Sequence, residues 1–145
     1  MTSQPHRIAR IDETEYSAAE LIKFHGHLGP YIVLGYRMGR FARKEFNNSP
    51  FLQAEVHCRD TPPESCLADG IQLGSGCSYG RRKISIIPSR KISCRFCDNR
   101  RILTLQPKKI SLPPTDSPAY WTMIEKIATR WYSEPDGILF RIKQS

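Results

Sequence analysis

The sequence predicts an α+β domain, on the order of its periodicities and the absence of any regular strand–helix alternation. Helical spacing fills roughly the first third, strand-like alternation dominates residues 52–106, and one further helix and strand close the chain. A length of 145 residues suits a single domain with its own core. Residues 1–14 are polar and are expected to form a flexible N-terminal segment.

Ser17-Ala18-Ala19-Glu20 has the spacing of a capping box, so a short helix should follow through Leu21, Ile22 and Phe24. Gly26 should stop it, and Pro30 suits the first position of a second helix. That helix should run to about Phe46, with Tyr31, Leu34, Met38, Phe41 and Ala42 on helical spacing. Gly35 and Gly39 lie one turn apart on it. Each costs about 1 kcal/mol relative to alanine in a helix, so another backbone or a ligand is expected close by. Residues 52–59 alternate as a strand. Thr61-Pro62-Pro63 breaks it and opens a third helix over 64–73, ended by Gly74-Ser75-Gly76. Strands are expected over 83–87, 92–97 and 101–106, with Asp98-Asn99 as a tight turn. A connector with four prolines spans 107–118. A final amphipathic helix over 119–133 carries Trp121, Ile124, Ile127, Ala128 and Trp131, and Asp136-Gly137 should turn into a last strand over 138–142.

No run of eighteen apolar residues occurs, and residues 1–12 lack the apolar core of a signal peptide, so the cytoplasm is the expected location. Five cysteines, an odd number, argue against a disulfide framework and leave thiols for metal or redox chemistry. The net charge of +8 is local: residues 81–109 hold ten Lys or Arg against one acid, Asp98. Such a segment suits a phosphate-rich partner or a partner enzyme. Its single aromatic, Phe96, argues against nucleic acid.

The candidate chemistry gathers in two places. His25 and His27 flank Gly26, and in an extended loop residues two apart face the same side. The second helix begins just beyond, so its positive end would favour an anion beside a metal held there. Cys66 and Asp69 share one face of the third helix, and Cys77 follows in a glycine-bearing loop that could fold back. Thiolate and imidazole together suit Zn²⁺, with Co²⁺ or Ni²⁺ possible. Asp69 could bind directly, act as a general base, or fix a histidine tautomer. Cys94-Arg95-Phe96-Cys97 lacks a second pair to complete a zinc finger, and in a strand the two sulfurs would face opposite sides.

Four motifs occur in order: Phe24-His25-Gly26-His27-Leu28-Gly29-Pro30, Leu34-Gly35-Tyr36-Arg37-Met38-Gly39, Pro63-Glu64-Ser65-Cys66-Leu67-Ala68-Asp69-Gly70-Ile71-Gln72 and Gly76-Cys77-Ser78-Tyr79-Gly80-Arg81. With them the sequence resembles the FmdE-like family of archaea and anaerobic bacteria, whose name comes from operons of molybdenum or tungsten formylmethanofuran dehydrogenase. The resemblance implies an α+β core with a mixed or antiparallel sheet, commonly a homodimer. It also implies a metal pocket built from His25, His27, Cys66 and Cys77, with Asp69 at a matching position. Gly29 stands where many members have cysteine, and Arg81 where lysine is frequent. Many members also carry a C-terminal zinc-ribbon-like domain, and this chain reaches Ser145 without one.

Two functions compete. In the first, zinc serves an enzyme or accessory protein near molybdenum- or tungsten-linked one-carbon metabolism, acting on a small anionic or cofactor-like molecule. Cys66 and Asp69 would be its catalytic candidates, and Arg81 and Tyr36 would bind the anion or substrate. In the second, a non-catalytic assembly protein carries a structural metal and docks a partner through the basic strands. The resemblance leaves catalysis itself open.

Overall fold

A computed structural model describes residues 9–10 and 15–143. The flexible segment expected over 1–14 lies, apart from Ala9 and Arg10, outside the described residues. The element order is α1 (Ala18–His25), α2 (Pro30–Glu45), β1 (Gln53–Cys58), α3 (Cys66–Ser75), β2 (Ile84–Pro88), β3 (Ser93–Cys97), β4 (Ile102–Pro107), α4 (Tyr120–Ser133), α5 (Asp136–Leu139) and β5 (Phe140–Ile142).

The sheet has strand order β2-β1-β3-β4-β5. β1 pairs parallel with β2 and antiparallel with β3, and the remaining pairs are antiparallel. The sheet is therefore mixed, as expected. Its alternation is regular: Ala54, Val56, Cys58, Cys94, Phe96, Leu103 and Leu105 are buried and pack with Leu34 and Met38 of α2 and with Leu67 and Ile71 of α3. On the outward face Glu55 meets His57 at 3.3 Å and Arg95 at 3.5 Å. Cys94 is fully buried while Cys97 is half-buried on the opposite face, so the pair cannot act together, as strand geometry requires.

α2 lies between the sheet and a second apolar layer made by Leu21 of α1, Ala128 of α4 and its own Ile32, Val33 and Tyr36. The capping box of α1 forms as expected: the Ser17 hydroxyl accepts from the Glu20 amide at 3.1 Å, and the Ser17 amide donates to the Glu20 carboxylate at 2.9 Å. Arg37 ties down the far end of α4, donating to the carbonyls of Trp131 and Tyr132 at 2.8 and 3.0 Å and to Asp136 at 2.9 Å.

The closest packing is between α2 and α3. A Cβ on Gly35 would stand 2.2 Å from the carbonyl oxygen of Leu67, and one on Gly74 would stand 2.2 Å from that of Tyr36. Gly39 and Gly70 are similarly crowded, so four glycines let the two backbones touch. The close backbone expected beside Gly35 and Gly39 is α3.

Three boundaries differ from expectation. α3 continues through Gly74 and stops at Gly76, whose φ of 79° supplies the left-handed cap. Asp136–Leu139 forms a single helical turn before a shorter last strand. The β3–β4 connection spans four residues, with Asp98 accepting from the amides of Arg100 and Arg101 at 2.8 and 3.0 Å. Strand polarity also divides the basic segment. Arg90, Lys91, Lys108 and Lys109 lie at the sheet end marked by Cys58 and Pro88, whereas Arg100 and Arg101 lie at the opposite end. These positive charges are thus divided between the two ends of the sheet.

Candidate metal centre

His25 is the last residue of α1, not part of an extended loop. The chain then reverses at Gly26, whose φ of 105° is open to glycine alone at little cost. This left-handed residue, rather than strand-like alternation, brings the rings of His25 and His27 to a centroid separation of 4.8 Å. Gly29 caps α2 and lies under His27: a Cβ there would be 3.0 Å from the imidazole Cε1.

From α3, Asp69 reaches the end of α1 and accepts from His25 Nδ1 at 2.6 Å. In the neutral ring this bond places the proton on Nδ1 and the lone pair on Nε2. Nε2 is buried and has no hydrogen-bond partner. The His25 side chain is 9% exposed. A buried acceptor without a partner costs about 1–3 kcal/mol, which makes this atom the most pointed feature of the site.

His25, His27 and Cys66 line one cavity of about 290 Å³. The shared cavity expected of the histidines and the third-helix thiol is therefore present. Burial, followed by the neighbouring Asp69, pushes the Cys66 thiol upward, so it is protonated at neutral pH. Burial and then His25 pull His27 below its ordinary value, against a hydrogen bond to the Leu28 backbone. Both shifts have burial as their first cause and favour the neutral form. Among the described residues, no three His, Cys, Asp or Glu side chains form a ready metal-holding group.

Three expected site residues stand elsewhere. Cys77 lies beyond the far end of α3, a helix of about 15 Å in length, with its thiol donating to the Leu52 carbonyl. It lines a different, 20 Å³ cavity. Arg81 belongs to that end too, donating to the Gly76 carbonyl at 2.8 Å. Tyr36 is fully buried in the helical layer, where its hydroxyl accepts from the Tyr16 amide at 2.9 Å and its ring stacks on Tyr132. The loop after α3 does not fold back, and Arg81 holds it at its own end through the Gly76 carbonyl.

The residues missed by sequence reasoning are the aromatic ones. Tyr31, Tyr120 and Trp121 line the cavity, and the Trp121 ring sits 5.6 Å from His27. Trp121 is 67% exposed, although its spacing in α4 reads as core. The only local signal was its place in the first turn of a helix entered from a proline-rich connector. Nothing in the sequence shows that this turn returns to the start of α2.

Residues 24–141 match the family described as FmdE, Molybdenum formylmethanofuran dehydrogenase operon. A protein of Archaeoglobus fulgidus described as a probable S-adenosyl-L-methionine-binding protein is 31% identical over 65 residues, which are 43% of this chain. The matched stretch is 18% of that relative's length.

Proposed function

This chain belongs to the FmdE family, and from that premise we propose that it is a metal-binding protein whose ion, zinc by its donor chemistry, is held by His25 Nε2, His27 and Cys66. The observation that carries the reading is the buried, unpartnered Nε2 of His25, with its other nitrogen locked on Asp69. A carboxylate–imidazole pair of this kind orients a metal-ligating histidine and raises its basicity. The donor set fits: two imidazoles and a thiol are borderline-soft ligands suited to Zn²⁺. His27 is exposed at the cavity, with its ring 4.8 Å from that of His25.

Three protein donors leave one position for water or a ligand, the pattern of reactive rather than structural zinc. Zinc bound there would supply a Lewis acid. Asp69 then serves as the orienting group for His25 and not as a first choice for proton transfer, since its Oδ2 is already engaged. The cavity beside these donors supports an enzymatic or accessory role on a small molecule, near molybdenum- or tungsten-linked one-carbon metabolism; the family description names the molybdenum formylmethanofuran dehydrogenase operon. A homodimer is part of the same proposal.

The test is zinc titration of chelator-treated protein, followed by calorimetry and by cobalt substitution. One equivalent per chain is expected, with a cobalt spectrum showing sulfur-to-metal charge transfer. A protein that takes up neither ion, and whose unfolding midpoint ignores both, would remove the reading.

A further inference from the structure

β2 is an edge strand, since the sheet order β2-β1-β3-β4-β5 gives it β1 as its one neighbour. The Ala54 amide donates to the Lys83 carbonyl and the Ser89 amide to the Cys58 carbonyl, both at 2.9 Å. The parallel ladder between these bonds turns the amides of Ser85 and Ile87 towards β1 and those of Ile84 and Ile86 outward. Among the described residues, nothing takes up the two outward amides. Pro88 has no amide and ends the edge.

A groove of about 600 Å³ lies between this strand and α3. Ala68 and Gln72 of α3 line it with Ile84 and Ile86 of β2, and Tyr79 and Arg82 add a stacked pair, the guanidinium 4.8 Å from the ring centre. Tyr79 is 62% exposed. A strand added to β2 would direct every second side chain towards this groove.

Arg82 and Lys83 lead into β2, and Arg90 and Lys91 follow it, while no Asp or Glu occurs from Gly70 to Cys97. Among the described residues, none of these cations has a salt bridge. Asp60 is the one acid in the groove wall among them. Both ends of the edge are therefore cationic. A two-fold axis would pair β2 antiparallel with its own copy, setting Arg82 and Lys83 of one chain opposite Ser89 and Arg90 of the other at both ends. Opposed like charges disfavour that pairing, so the charge pattern excludes a second copy and suits carboxylates.

We propose that β2 is a docking edge for an extended acidic segment of a partner protein. The segment extends the five-stranded sheet by one strand through the Ile84 and Ile86 amides. Its alternate side chains lie in the groove beside α3, and its carboxylates meet the cations at the two ends. The groove shares no lining residue with the cavity of His25, His27 and Cys66, so the proposal is independent of the metal reading.

The test titrates the full chain with fluorescein-labelled Asp-Glu-Val-Thr-Val-Glu-Asp, capped at both ends, and reads anisotropy and amide hydrogen exchange. Two controls are the same peptide with lysine for every acid, and the acidic peptide N-methylated at its central Val-Thr-Val. The acidic peptide should bind, and both controls should bind at least about tenfold more weakly, since one loses the charge and the other the strand hydrogen bonds. At saturation the Ile84 and Ile86 amides should become protected from exchange, and the Trp121 indole resonance should not shift. Arg82→Glu combined with Arg90→Glu should weaken the peptide about tenfold and leave zinc uptake unchanged. Equal binding of the methylated peptide would reduce the segment to a solvated cationic face and overturn the proposal. Failure of the acidic peptide to bind would overturn it too. So would Ile84 and Ile86 amides already protected without peptide, in proportion to protein concentration, because a second copy would then hold the edge.

Discussion

Gly70 lies against Gly35 so closely that a Cβ on Gly70 would stand 2.9 Å from the Gly35 carbonyl carbon and 2.1 Å from the Ile32 oxygen. This contact sets the spacing between the two histidines, carried into α2 through Gly29, and the Cys66–Asp69 face of α3. The candidate site is positioned by this backbone packing.

Gly70→Ala should therefore destabilise the protein by about 3 kcal/mol, because the obstructing atoms are backbone and cannot rotate away. Gly80→Ala meets nothing within 4 Å and should stay within about 0.5 kcal/mol of wild type. Urea unfolding of the two variants makes the comparison. Similar midpoints for both would show that the helices separate at little cost.

Asp69→Asn keeps the shape and removes the charge that locks His25. Zinc affinity should fall about 10- to 100-fold with a small change in unfolding midpoint. Unchanged affinity in a zinc competition titration would mean that His25 does not depend on Asp69 for its tautomer.

The two cysteines assigned to the metal from sequence should separate cleanly. Cys66→Ser should lose most zinc affinity, since Cys66 shares the cavity with both histidines. Cys77→Ser should keep it and instead lose about 1–2 kcal/mol of stability, because Cys77 is 2% exposed and packed into the core. Equal loss of affinity in both variants would return Cys77 to the ligand set.

What the sequence made legible here was punctuation. Ser17 with Glu20, Gly26 and Pro30 bound the first two helices where their local chemistry places them, because caps and breakers act within a few residues. Gly74 misled for a physical reason: the same residue type ends a helix or lets another backbone approach, and only the presence of Tyr36 decides which. Cys77 misled through sequence proximity, since ten helical residues carry the chain away from Cys66 rather than around it. The aromatic wall was invisible because it depends on α4 returning across α2, a contact between residues about ninety positions apart.

The buried thiols give a pH dependence that can be read without any metal. Burial, and then Glu64 and Asp60, push the Cys58 thiol up from 9.0 to about 11, and burial pushes Cys94 upward as well. The folded protein therefore keeps protons that the unfolded chain releases. Their contribution to stability is complete below pH 9 and is lost as the pH rises through 11, with Cys58 alone accounting for about 2 kcal/mol at pH 11. Urea midpoints of zinc-free, reduced protein should decline between pH 9 and 11. Cys58→Ala should start lower at pH 8, because it leaves a small cavity in the core, yet decline less steeply over the same range. Parallel slopes for the two proteins would mean that the Cys58 thiol ionises in the folded state as readily as in the unfolded chain, and that β1 admits water at its C-terminal end, next to the turn that leads to the candidate metal cavity.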